Sequence, residues 1–416
     1  MLLQDFRMAT RTIQQDAERT FPTSSSLAPP ARLAGGARLA SLDVLRGLAV
    51  AGMILVTDPG TYSAVYPQLL HAPWNRATAT DMIFPTFLFT VGVAITLSFR
   101  SRMLRGESRS RIARHMVIRS VVIFFVGVAL NGFPDYDLHN IRIPGVLQRI
   151  ALCYLCAGLL YLGLERQGSE AGGQRRAWSI GMLLFVILFG YWALLRFVPV
   201  PGFGANRLDS LGYLGAYVDR AVFGIHHLWP YGTTPGVGVT YDPEGILSTL
   251  PAIATTLIGV LAGELLRTKL SLTHKAAYLA ASGFVFFGAG LLLNPSFPVN
   301  KRIWSSTFVL LSGGASLVVF AVLLYIIDLK QWKRWTPPLL VFGTNAILAF
   351  ALSNMITVLT DRIHVGSPTF HQWANDRWLA TGLPAMDASL AYAIAVVLFN
   401  MAILWPLYRK RIFVRI

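Results

Sequence analysis

The sequence predicts an all-α, polytopic transmembrane helical bundle of about ten spans with both termini cytoplasmic, and three observations carry that expectation. Hydrophobic residues fill 54% of the 416 positions and charged residues 13%, about half the ~25% that clothes a soluble domain. Apolar runs approaching the ~20 residues needed to cross ~30 Å of hydrocarbon recur along the whole chain. Lys and Arg gather between alternate runs, 24 on one side against eight on the other, with four inside spans. Loops rich in these residues stay cytoplasmic.

Taken in order, residues 1–40 lack an apolar stretch and carry Arg7, Arg11, Arg19, Arg32 and Arg38 among Ser, Pro and Gly, which reads as a disordered cytoplasmic tail and not a secretory leader. Residues 41–416 then form one membrane domain. Its first half holds runs near 41–57, 80–99, 116–132, 144–164 and 177–198, and its second half runs near 245–265, 276–293, 304–327, 338–358 and 387–408. The loops 58–79, 199–244 and 359–386 fall on the extracytoplasmic side and are rich in Trp, His, Pro and Gly. Within the second of these, Ile225-His226-His227-Leu228-Trp229-Pro230-Tyr231 suits an ordered cover at the membrane interface, the depth that Trp and Tyr favour.

Several function classes drop out. The formal charge of +16 does not point to nucleic acid, because the basic residues flank apolar runs instead of gathering on one soluble face. Cys153 and Cys156 sit three apart in an apolar run with no second pair, so they read as packing residues. His226-His227, and His364 with His371, lack the spacing and acidic companions of a zinc site, so no metal is expected. Gly343 and Gly313-Gly314 read as close helix contacts, since no Gly-rich loop ends in Lys-Ser or Lys-Thr. The partner expected throughout is the lipid bilayer, and the Gly-rich spans leave room for a homodimer.

Ionisable groups at the mouth of a membrane domain cost up to about 3 kcal/mol each at the helix centre, so each needs a partner or a purpose. Asp43 and Arg46 share a helix face at the start of the first span, either as a local ion pair or as a gate for an anionic ligand. His71, in Leu70-His71-Ala72-Pro73-Trp74-Asn75, and Asp81 converge on one mouth. They suit a general base with its orienting carboxylate, or an interfacial histidine beside an N-capping aspartate. Gln148 and Arg149 open the fourth span, where Arg149 suits either phosphate or carboxylate binding or an ion pair with Asp81 or Asp135. Asn345 in the ninth run, and the turn Pro298-Val299-Asn300-Lys301, add polar groups. The run from Arg100 to Arg114 reads as a topology signal facing anionic lipid, or as an attractor for an anionic cosubstrate. A secondary transporter is the alternative from another class. It would need broken helices at matching places in two halves, whereas the prolines fall at Pro85, Pro251 and Pro406.

Together these motifs resemble the transmembrane catalytic region of the heparan-alpha-glucosaminide N-acetyltransferase family, as a bacterial-type member. The resemblance rests on Arg38 to Asp43 with Leu45-Arg46-Gly47; on His71-Ala72, Trp74-Asn75, Asp81, Phe84-Pro85 and Gly92; and on Ile141 to Arg149. It continues through Pro298-Val299-Asn300-Lys301 with Trp304-Ser305, and Gly343 with Asn345 and Ile347-Leu348, and so spans residues 38–350. Beyond 350 the resemblance is expected to extend only to hydropathy, and no counterpart is expected in these residues of the luminal domain and extra first span of the lysosomal member. The resemblance implies transfer of acetyl from cytoplasmic acetyl-CoA, as cosubstrate, to an amino sugar of glucosamine type across a bacterial cytoplasmic membrane. His71 is then the base or acetyl carrier and Asp81 its partner. Asn75 is the expected oxyanion donor, and Arg46, Arg149 and Asn345 are assigned to the acyl-CoA path. Trp74, Asp43, Gln148, Asn300 and Lys301 complete the expected binding set.

Overall fold

The computed structural model describes residues 39–164 and 170–414. The tail expected over 1–40 therefore lies, except for Leu39 and Ala40, outside the described residues. Five helices cross in the first half: α1 (Ala40–Thr57), α2 (Ala79–Leu104), α3 (Arg109–Gly132), α4 (Val146–Leu164) and α5 (Glu170–Phe197). A short helix α6 (Leu214–Phe223) and a two-stranded ribbon, β1 (Thr233–Thr234) with β2 (Gly238–Val239), fill the long loop before α7 (Ile246–Arg267). Then follow α8 (Leu272–Leu293), α9 (Ser306–Leu323, prolonged by a π-helical turn to Leu329), α10 (Pro337–Thr344), α11 (Ala346–Arg362), the short α12 (Phe370–Leu379) and α13 (Ala385–Arg409).

Among the described residues, nine helices are long and apolar enough to span a membrane, or ten with the α10–α11 pair. That pair corrects the single run expected at 338–358. It breaks at Asn345 with a bend of 88°, where the backbone leaves the helical region at φ −125° and ψ 45°. At 1.5 Å per residue the eight residues of α10 reach only about 12 Å, too little to cross.

The bundle is built around α2 and α7. Of the apolar stretch of α7, 78% is buried, against 22% for α8 and α13; the outer helices turn Phe185, Phe284 and Phe399 outward, as lipid contact requires. Small residues set the crossings. A Cβ on Gly92 would lie 1.9 Å from the Thr256 carbonyl oxygen, so α2 and α7 touch backbone to backbone. Gly47 and Gly343 do the same for α1 and α10, and Gly283 and Gly314 for α8 and α9. A second, smaller core of Tyr191, Tyr213, Tyr241, Phe297 and Ile303 seats the loops over one end of the bundle, with Trp74 packed against it.

Candidate active site

At that end the loop after α1 runs down to the start of α2. The N-terminal N–H groups of a helix need acceptors, and Asp81, the third residue of α2, answers that need from a side chain 1% exposed. Its Oδ2 accepts from the N–H groups of Thr78 (2.9 Å) and Ala72 (3.1 Å) and from the Thr78 hydroxyl. Its Oδ1 meets Nδ1 of His71 at 2.7 Å. The capping reading and the orienting reading of Asp81 thus describe one carboxylate doing both. An ionised carboxylate only accepts, so Nδ1 carries the proton and Nε2 keeps its lone pair, on a ring with 41% of its surface open.

Lys301 completes the mouth. Its Nζ is 3.3 Å from each ring nitrogen of His71, and equal distances put the ammonium on the bisector of the ring, off the line of either lone pair. Partial burial, and then the Lys301 charge, hold the His71 pKa below 6.5 against the pull of Asp81. The imidazole is therefore neutral and basic at neutral pH. Burial lowers the Lys301 pKa as well.

The loop carrying Lys301 is zipped to the His71 loop. The Arg76 N–H donates to the Val299 carbonyl at 2.7 Å, and Nδ2 of Asn300 to Oδ1 of Asn75 at 3.2 Å. Asn300, fully buried, also accepts from the Ile303 N–H and donates its own N–H to Ser305. Trp74 donates from Nε1 to the Leu208 carbonyl at 2.8 Å and sets its edge against Tyr241, so it is a wall of the site. Asn75, with its oxygen committed, has only its NH2 left as a donor.

Arg149 lies beneath, 1% exposed, with its guanidinium 5.0 Å over the Trp304 ring. It bonds to neither Asp81 nor Asp135. It donates to the Gly245 carbonyl and the Ser248 hydroxyl at the start of α7, while Asp135 pairs with Arg362. Nε and one terminal nitrogen of Arg149 are buried without a protein partner, as is Nε2 of the neighbouring Gln148. Sequence reasoning missed the acidic pair Asp242 and Glu244, which clamps Arg142 at 2.6 Å each; the signal was a carboxylate doublet just ahead of a span.

The remaining expected site residues stand at the opposite end of the bundle. Asp43 and Arg46 form the local ion pair at 3.2 Å, and Arg46 also reaches the Gly343 carbonyl. Arg46 then borders a cavity of about 230 Å³ with Arg102, from the run read in the sequence as a topology signal or as an attractor for an anionic cosubstrate, and with Arg119, counted there only as a charge within a span. Nε of Arg119 is buried and without a protein partner. One face of α2 lines this cavity from Phe87 to Arg102, about 22 Å of helix. Phe84, one turn nearer His71, packs edge-on against Trp304 at 5.4 Å. Phe84 and Arg149 thus pack on Trp304 just beyond the Phe87 end of the cavity, on the His71 side along α2. Asn345 borders the cavity through its neighbours but spends its amide on backbone, donating to Ile412 and accepting from Val414.

A family model described as heparan-alpha-glucosaminide N-acetyltransferase, catalytic, matches residues 38–293. The chain is 30% identical to the heparan-alpha-glucosaminide N-acetyltransferase of Homo sapiens over an alignment 417 positions long, which takes in 91% of this chain and 60% of that protein. The Mus musculus protein of the same name is 28% identical over an alignment 436 positions long, which takes in 96% of this chain and 63% of that one. Coverage of 91% cannot fit within residues 38–350, so the likeness continues past the boundary expected from motifs alone. The chain spans about 60% of the length of these relatives.

Proposed function

Because the chain belongs to the heparan-alpha-glucosaminide N-acetyltransferase family, we propose that it is a membrane-embedded acetyltransferase that moves acetyl from acetyl-CoA to the amino group of a glucosamine-type sugar, with His71 as the base. One observation carries the reading: a histidine whose Nδ1 is locked to a buried carboxylate, on a ring 41% exposed with Lys301 Nζ 3.3 Å from its Nε2, in the loop leading to a helix whose far half lines a cavity with three arginines. The arginines suit the phosphates of the nucleotide, and the thin pantetheine arm would pass Phe84, Trp304 and Arg149. At the mouth the sugar amine attacks the thioester carbon, Nε2 takes the amine proton, and the C–S bond breaks to release the coenzyme thiolate, which recovers that proton from the imidazolium. The Arg149 nitrogens without protein partners, together with the Asn75 NH2, are the donors for the developing oxyanion.

The basic end is assigned to the cytoplasm on its excess of Lys and Arg, which puts the acceptor outside the bacterial cytoplasmic membrane. The break at Asn345 is the feature a transporter would use. There, however, the polar groups at a helix break face the substrate, whereas Asn345 bonds the chain's own backbone. The test is purified protein in detergent with radiolabelled acetyl-CoA and a panel of glucosamine acceptors. Label should reach an acceptor with wild type and not with folded His71→Ala; no consumption of acetyl-CoA with any acceptor sinks the reading.

A further inference from the structure

Asn345 is 2% exposed and makes two directed bonds, Nδ2 to the Ile412 carbonyl at 3.1 Å and Oδ1 from the Val414 N–H at 2.9 Å. In an extended segment the carbonyl of one residue and the N–H two residues on point to the same edge. One side-chain amide therefore pairs with residues 412–414 as a neighbouring strand would. Asparagine suits the task because it carries donor and acceptor in one plane; aspartate cannot donate. Val414 lines the basic cavity, and so do Gly343 and Ala346 on the two sides of the break. The two residues that the amide bonds gain little from burial themselves, since Ile412 and Val414 are 47% and 46% exposed; Phe413 between them is half-buried, and the Ile412 N–H donates to the Leu407 carbonyl at 2.9 Å. The α10 side of the break is fixed, because Gly343 packs on the Asp43 backbone.

We propose that Asn345 is a positioning residue. It clasps residues 412–414 as a wall of the cavity and through that wall sets the affinity for the acyl-CoA donor, an inference that rests on the acyl-CoA reading above. The break in the span and the clasp are then one device, since only a side chain freed from the helix at that point can reach the segment.

Asn345→Ala and Asn345→Asp should each raise the KM for acetyl-CoA roughly tenfold, the size expected for two neutral hydrogen bonds, and leave kcat and the acceptor KM within about twofold. Ending the chain after Arg411 removes the clasped segment whole and should raise the donor KM at least as much, and adding Asn345→Ala to it should raise it no further, because the amide then has no segment to hold. Additive effects, or a truncation with an unchanged donor KM, overturn the proposal. A second readout needs no turnover. Val414→Cys should react faster with a maleimide when Asn345 is alanine, measured over the background of Cys153 and Cys156, and coenzyme A should slow that labelling in the Asn345 protein. Unchanged labelling overturns the clasp. Faster labelling without protection by coenzyme A overturns the donor-site role and locates the failure in the acyl-CoA reading.

Discussion

His71 and His371 each meet, through Nδ1, a carboxylate ten positions away in the chain: Asp81 at 2.7 Å and Asp361 at 2.8 Å. Their other nitrogens differ. Nε2 of His371 faces the Pro59 carbonyl at 3.0 Å, and the ring lies stacked on Tyr392 with centroids 4.8 Å apart, 18% exposed. Every polar atom of that ring is spent on joining α11, α12, α13 and the end of α1. Nε2 of His71 meets no carbonyl among the described residues; its neighbour is Lys301 Nζ at 3.3 Å, and the ring is 41% exposed. On the proposed reading, a histidine held by a carboxylate is a brace or a base according to what its second nitrogen meets.

The comparison breaks most directly at the histidines. Removing a general base costs about 10²–10⁴ in rate, so His71→Ala should lose at least about a hundredfold in kcat for acetyl transfer. His371→Ala should stay within about threefold in the same assay and instead lower the melting temperature in detergent. Equal losses of rate would erase the distinction. The carboxylates should follow with smaller effects. Asp81→Asn turns an NH2 or a weaker acceptor toward three donors and lets the imidazole tautomer change, for a loss of roughly tenfold or more; Asp361→Asn should leave kcat unchanged, as steady-state assays of both would establish.

The difference between the two sites was half legible in the sequence. His71 and Asp81 are close in sequence and flank the start of an apolar run, so local spacing reveals them. His371 and Asp361 have the same separation, but nothing in the sequence says that Pro59 and Tyr392, far away in the chain, will take up the ring. The same limit explains Arg149, whose partners lie on α7 about a hundred positions on, and Arg119, whose cavity exists only once α1, α2, α3 and α4 are packed. Hydropathy located the spans to within a few residues at most boundaries, yet it hid the break at Asn345. Apolar composition continues through that point, and the partners of the break, the α1 backbone against Gly343 and residues 412–414 on the Asn345 amide, lie far away in the chain.

A sharper reading comes from pH. With His71 as the proposed base its neutral form is the active one, and its pKa is lowered, so kcat/KM should rise with pH to a plateau with its midpoint below 6.5. Lys301→Met removes a charge that lowers that pKa, and the midpoint should move up in a pH profile; a downward shift would contradict the assignment. The smallest effect belongs to the bracing region. Burial raises the Asp58 pKa from 3.8 to about 6, against the hydrogen bonds from Thr357. A carboxyl with a raised folded pKa stabilises the fold in its protonated form, and that contribution is lost as pH rises through about 6. Melting temperature should therefore increase from pH 7 toward pH 5 more in wild type than in Asp58→Asn.

The most direct test of the central claim is chemical rescue at His71. In His71→Gly, added imidazole should restore acetyl transfer in proportion to its neutral fraction, because the open mouth admits it and only the base is missing. A His71→Gly protein that transfers acetyl at the wild-type rate with no imidazole present would contradict the account.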